Sequence, residues 1–170
     1  MLSYKGFLRC SEAMNLRSED INLKTVVINN EKIEVLSIFI EKSKVDQERV
    51  GHTLIISPDP KNLWKCAVTH AKVFSKIRDP SANYFFHRKG KTTKSPNSTV
   101  NKIVKRTCAA AGYNPNIYSS HGLRAGGATE AVTARIPLHL IKRHGNWSSD
   151  AVFIYVHDSI SARLSVSQAI

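Results

Sequence analysis

Acidic residues are scarce in this chain: 13 Asp+Glu stand against 25 Lys+Arg, a formal net charge of +12 with a pI near 9.9. No carboxylate cluster stands out for holding Mg²⁺, so a metal-dependent nuclease is a poor fit. Cysteine is scarce as well. Cys10, Cys66 and Cys108 lie far apart with no C-x-x-C pair, which argues against a disulfide framework and fits a reducing interior. His139 and His144 have a zinc-finger-like separation, but no cysteine pair precedes them, so no metal site is expected. The opening "MLSYKGFLRC" lacks the apolar core of a signal peptide, and no apolar run approaches membrane-spanning length. No membrane partner is expected, and the protein is expected to be soluble and intracellular, nuclear if its host is a eukaryote.

What is present points to a polyanion. A 170-residue chain with 42% hydrophobic and 22% charged residues suits one domain with its own core. The excess of cations in such a domain favours nucleic acid first and an anionic membrane surface second.

Apolar, β-branched stretches at 23–28, 33–41 and 52–57 predict three strands, the last two joined by the polar "EKSKVDQERVG" as a long hairpin. A short helix is expected over 11–17. Helical spacing of Leu63, Ala67, Val68, Ala71 and Phe74 predicts a helix over 61–77, stopped by Asp79-Pro80. Ser98 is a candidate cap for a helix over 99–111, ending at Gly112. Ser119 or Ser120 would cap another over 121–135, and Pro137 would start a third that Gly145 ends. Ser148 would cap a last helix carrying Tyr155. Neither an internal repeat nor a linker is evident. The fold class is α+β: a small three-stranded antiparallel sheet near the start, then mostly helices.

Three stretches carry chemistry. In "SSHGLRAGGATEA", His121 and Arg124 are three apart at a helix start and so share a face. A helix N-terminus with its free N–H groups completes a phosphate cradle, although an isolated H-x-x-R also reads as a solvated helix start. The "AGGA" that follows indicates close packing against a neighbour. In "RCSEAMNLRSEDI", Arg9 has Glu12 one turn later, where an ion pair would hold the arginine. Lys44 sits in the hairpin; Lys42 shares its face, and periodicity leaves the choice between them open. Tyr155, among Val152, Phe153, Ile154 and Val156, reads by itself as a packed tyrosine with a tethered hydroxyl.

In this order the residues resemble the catalytic domain of a tyrosine recombinase, the phage-integrase type. That family's pattern is R-x-x-E, a hairpin lysine, H-x-x-R, a His or Trp, then a nucleophilic Tyr. The matches are Arg9 in "RCSE", Lys44 in "KSKVDQ", His121 and Arg124 in "HGLR", Trp147 in "HGNW" and Tyr155 in "FIYVH". "HGLRAGGAT" and "KRHGNWSSDAVFIY" are most similar to versions carried by Crypton elements and tyrosine-recombinase retrotransposons. His144, one helical turn before Trp147, is the alternative at the His/Trp position. The resemblance spans nearly the whole chain, 1–170, without the N-terminal helical domain that completes the family's clamp on DNA.

The resemblance implies site-specific recombination or integration of double-stranded DNA through a 3′-phosphotyrosyl intermediate, by homo-oligomers that form a tetrameric synapse, without cofactor or metal. Tyr155 would be the nucleophile. Arg9 and Arg124 would hold the scissile phosphate, His121 would serve as base or phosphate ligand, Lys44 as general acid, and Trp147 as a phosphate-pocket donor. Arg88, Lys89, Lys91 and Lys94 in "HRKGKTTK", with Lys102, Lys105 and Arg106 in "NKIVKR", are expected DNA-backbone contacts; a solvated charged face is the bland alternative. Two other classes compete: a non-catalytic DNA-binding module derived from a mobile element, and a type IB topoisomerase. Ser159 to Ile170 would dock on a neighbouring protomer or fold back.

Overall fold

The computed structural model describes residues 1–41, 51–154, 158 and 160–169. Its elements in chain order are α1 (Leu2–Lys5), α2 (Cys10–Asn15), β1 (Ile21–Ile28), β2 (Glu31–Ile40), β3 (His52–Ile56), α3 (Ala67–Ile77), α4 (Asn97–Ala110), α5 (Ser120–Thr133), α6 (Leu138–His144) and α7 (Ile160–Gln168).

The sheet forms as the β-branched patterning predicts. β1 and β2 are antiparallel in a register that sets Leu23 against Leu36 and Val26 against Ile33, and β2 pairs β3 with Leu36 against Ile56 and Ile38 against Leu54. Alternation then puts Leu36, Ile38, Ile40, Leu54 and Ile56 on one face. All five are buried in the main core with Leu8, Ala13 and Met14 around α2 and Cys66, Ala67, Val68 and Ala71 of α3. A second, smaller core gathers Phe7, Ala128, Ile141, Trp147 and Val152, and so ties α5 and α6 to the chain just before α2.

Three helix expectations change. The helix expected over 61–77 begins only at Ala67, after a 3-10 turn at Leu63–Lys65. Leu63 is exposed, so its place in the periodicity buries nothing, while the Cys66 sulfur accepts the Thr69 N–H and starts the helix there. The helix expected over 99–111 is Asn97–Ala110 with Pro96 at its N-cap, two residues early at the start; Gly112, at φ +81°, follows its end. The helix expected after Ser148 is a 3-10 turn, Asp150–Ile154, for its described part. Only Val152 of its apolar run is fully buried; Phe153 and Ile154 face solvent. An adjacent Val-Phe-Ile run restricts side-chain rotamers, which disfavours regular α-helix. The four-residue α1 was not anticipated.

Candidate functional site

Arg9 stands at the start of α2, where its extended backbone (φ −62°, ψ 150°) turns the chain into the helix. Glu12, one turn on, reaches back twice. Its Oε2 accepts the Arg9 backbone N–H at 2.7 Å, and its Oε1 accepts from the Arg9 guanidinium Nη1 at 2.6 Å. The first contact is half of a capping box and explains why the acid sits at this spacing. The second aims the arginine while leaving its side chain 23% exposed.

The same carboxylate meets a second arginine from the other core. Arg124, one turn into α5, is 2% exposed, and its Nη1 lies 3.5 Å from Glu12 Oε2. Nη1 also donates to the Phe7 carbonyl, and Nη2 donates to the Gly145 carbonyl at 2.8 Å. The guanidinium lies over the indole of Trp147, 4.2 Å from the ring centroid. A cation stacked on an indole and bonded to two carbonyls and a carboxylate has a fixed orientation and a compensated charge.

Glycines permit this closeness. A Cβ on Gly145 would lie 1.8 Å from Cζ3 of Trp147, and a Cβ on Gly127 would lie 2.1 Å from the Tyr4 carbonyl and 2.9 Å from the Phe7 ring. Gly127 is thus the member of "AGGA" that lets α1 approach α5, whereas Gly126 meets only the Tyr4 ring at 3.4 Å. Tyr4 fastens the same contact by donating its hydroxyl to Glu130 of α5. Burial, then the Glu130 hydrogen bond and negative charge, push the Tyr4 pKa up to about 12.

His144 turns inward from the end of α6. Its Nε2 is 2.9 Å from the Lys5 carbonyl, which can only accept, and its ring stands edge-on to Phe7 with centroids 4.8 Å apart. Trp147, 7% exposed, is on the Arg124 side of the same cluster. Both candidates for the His/Trp position therefore border one site, and Trp147 is the one in contact with Arg124. His121 is exposed in the first turn of α5, one turn before Arg124. Lys44, its alternative Lys42, and Tyr155 lie outside the described residues. The strands that flank the hairpin are described, and His52, the first residue of β3, has Nδ1 3.2 Å from Asn146 Nδ2. That contact joins the hairpin base to the Gly145–Trp147 turn.

The structure thus brings together Arg9, Arg124 and Trp147 with Glu12 between the arginines. Phe7 and His52 lie in no motif, and Gly145 and Asn146 stand in "HGNW" without an assigned role, because their parts come from backbone carbonyls or long-range contacts.

The cations expected on DNA are all exposed: Arg88, Lys89, Lys91 and Lys94 in the loop before α4, and Lys102, Lys105 and Arg106 along it. The loop is organised by His87, whose Nδ1 lies 3.1 Å from both the Arg88 and Lys91 carbonyls while its Nε2 accepts the Asp79 N–H at 3.2 Å. Lys94 donates to Asn15 Oδ1 at the end of α2, linking this loop to the helix that starts at Arg9. Among the described residues no group of His, Cys, Asp and Glu is placed to hold a metal, and no helix is long and apolar enough to cross a membrane.

A model of the phage integrase family matches residues 1–161. Among curated proteins no sequence matches the chain. Solved structures similar to it include the XerH site-specific recombinase bound to palindromic difH substrate in a post-cleavage complex, at 19% identity and a TM-score of 0.71, covering 99% of this chain and 43% of that one. The XerA recombinase is similar at 20% identity and a TM-score of 0.68, with 99% and 54% covered. The Tn1549 transposon integrase in complex with circular intermediate DNA follows at 12% identity and a TM-score of 0.60, with 98% and 55% covered. The chain therefore has the fold of part of these proteins and spans about half the length of each.

Proposed function

Because the chain belongs to the phage integrase family, we propose that it is the catalytic portion of a tyrosine recombinase that breaks and rejoins double-stranded DNA by transesterification. The observation that carries this reading is the cluster in which Glu12 meets both Arg9 and Arg124, with Trp147 stacked on the second arginine. Two fixed guanidinium groups suit a phosphodiester, whose negative oxygens otherwise repel a nucleophile.

In this reading Tyr155 supplies the nucleophile. A phenol with a pKa of about 10 is protonated at neutral pH and needs both a proton acceptor and an activated phosphorus. Its oxygen bonds to phosphorus as the bond from phosphorus to the 5′-oxygen breaks. The phenolic proton passes to His121, and the leaving 5′-oxygen takes a proton from Lys44, or from Lys42 in its place. Attack by another DNA 5′-hydroxyl on the 3′-phosphotyrosyl link reverses the step in a new strand. One phosphodiester replaces another of similar energy, so the exchange requires no external energy source. Trp147 closes the phosphate pocket, with His144 the alternative. The exposed cations from Arg88 to Arg106 hold the duplex, and homo-oligomers assemble on it. The kinship with Crypton-type elements rests on "HGLRAGGAT" and "KRHGNWSSDAVFIY".

One observation favours a second reading, a DNA-binding module without catalysis. Arg124 is 2% exposed and donates to the Phe7 and Gly145 carbonyls, so part of its donor capacity is already committed within the protein. A nicked suicide duplex, incubated with the protein in EDTA, separates the two. Recombination chemistry leaves a denaturant-resistant protein–DNA band that Tyr155→Phe abolishes; the binding module shifts the duplex without forming that band.

A further inference from the structure

The four residues between α1 and α2, Gly6, Phe7, Leu8 and Arg9, hold one arginine of the site and the backbone carbonyl that meets the other. Phe7 has φ +49°, a left-handed conformation that is unfavourable for a bulky residue and persists only where its surroundings hold it. It is 7% exposed in the smaller core. Its carbonyl accepts from Arg124, and its ring packs edge-on against His144 at 4.8 Å and tilted against Trp147 at 5.9 Å. Across the contact stands Gly127, where any Cβ would strike the Phe7 ring. One residue therefore touches Arg124 through its backbone and both His/Trp candidates through its side chain.

We propose that Phe7 is a positioning residue for the phosphate site: its left-handed backbone turns a carbonyl onto the Arg124 guanidinium, and its ring fixes the Trp147 indole on which that guanidinium lies. The inference rests on the recombinase reading for its catalytic consequence, but not for its geometry. Nothing in a motif requires an aromatic residue here. A merely space-filling role would need neither the left-handed turn nor contact with both rings.

The two tryptophans allow a test that does not depend on activity. Trp64 is 87% exposed and Trp147 is 7% exposed, so Trp64→Phe leaves Trp147 as the sole reporter. In that background Phe7→Gly keeps the left-handed backbone accessible and deletes the ring. Its Trp147 emission should shift to the red and become more open to acrylamide quenching. Phe7→Tyr should keep the emission of the parent. With a nicked duplex, Phe7→Gly should lower the single-turnover cleavage rate at saturating DNA about 100-fold, the cost of a small misplacement near the chemistry, while leaving the DNA dissociation constant unchanged. Phe7→Tyr should restore the rate. Calorimetry of Phe7→Leu, which keeps apolar volume, controls for unfolding: a folded Phe7→Leu with displaced Trp147 emission supports the role of the ring.

Unchanged Trp147 emission in folded Phe7→Gly and Phe7→Leu would overturn the proposal, whatever the catalysis. A parental cleavage rate in those variants would also overturn it, leaving the recombinase reading intact. Failure of the parent itself to cleave would sink the recombinase reading, and the emission data would still decide the role of Phe7.

Discussion

Glu12→Gln is the substitution that presses hardest on the cluster, because it removes one charge and almost no volume. The Glu12 and Arg124 side chains are 6% and 2% exposed, and their charged atoms are 3.5 Å apart. Removing one partner of a buried pair costs about 3–5 kcal/mol. Arg124 keeps the Phe7 and Gly145 carbonyls and the Trp147 face, which favours the lower end of that range. Arg9 is partly in solvent, so losing its pairing adds at most about 1 kcal/mol. Glutamine still offers an oxygen to the Arg9 N–H, so the cap survives. The sum is about 3 kcal/mol, and for a chain of this size each kcal/mol lowers Tm by about 2–4 °C. Scanning calorimetry should therefore register a fall of about 6–12 °C. Glu19→Gln is the matched control: its carboxylate meets Arg17 at 3.6 Å in the open, and its loss should move Tm by less than about 2 °C. If Glu12→Gln behaves like Glu19→Gln, the carboxylate is not the counterion that holds the two arginines, and the reasoning about the cluster fails.

Two further outcomes follow from other parts of the fold. Tyr4, with its folded pKa raised to about 12 against 10 for the free phenol, supports the fold below pH 10, and that contribution is lost as pH rises through about 12. Tyr4→Phe should therefore flatten the decline in denaturant midpoint between about pH 10 and 12, and an unchanged alkaline slope would contradict the Tyr4–Glu130 assignment. On DNA, replacing Lys102, Lys105 and Arg106 together by Gln should reduce the slope of log K against log salt by about 2.7 if each meets a phosphate; an unaltered slope places the DNA on another face.

The sheet was legible because β-branched and aliphatic residues gather in three runs set off by polar segments; only β3 alternates cleanly, with Leu54 and Ile56 buried and Thr53 and Ile55 exposed. The starts of α5 and α6 were legible to within a residue at Ser119, Ser120 and Pro137, although Ser119 makes no side-chain cap bond and Pro137 is the N-cap and not the first helical residue. The late start of α3 was not, since Leu63 fits a helical period yet ends in solvent; only the Cys66 cap, a local hydrogen bond, decides it. The 3-10 turn at Asp150–Ile154 escaped for the related reason that apolar spacing alone does not separate the two helix types. At the site, Arg9 and Glu12 were legible as a pair because three residues of helix enforce their contact. The burial of Arg124 was not. Its partners at Phe7 and Gly145 are 117 and 21 residues away and act through backbone carbonyls, which leave no trace in residue identity. The His52–Asn146 contact spans 94 residues and was invisible for the same reason.

The proposed chemistry stands on a covalent bond between Tyr155 and DNA. After reaction with a nicked duplex, nuclease trimming and trypsin digestion, residues 144–163 form one peptide in which Tyr155 is the sole tyrosine. Mass spectrometry should find that peptide carrying a 3′-linked nucleotide, with fragment ions that put the added mass on Tyr155. An adduct on Tyr113, Tyr118 or any other residue, or its absence on DNA that the protein binds, would contradict the account.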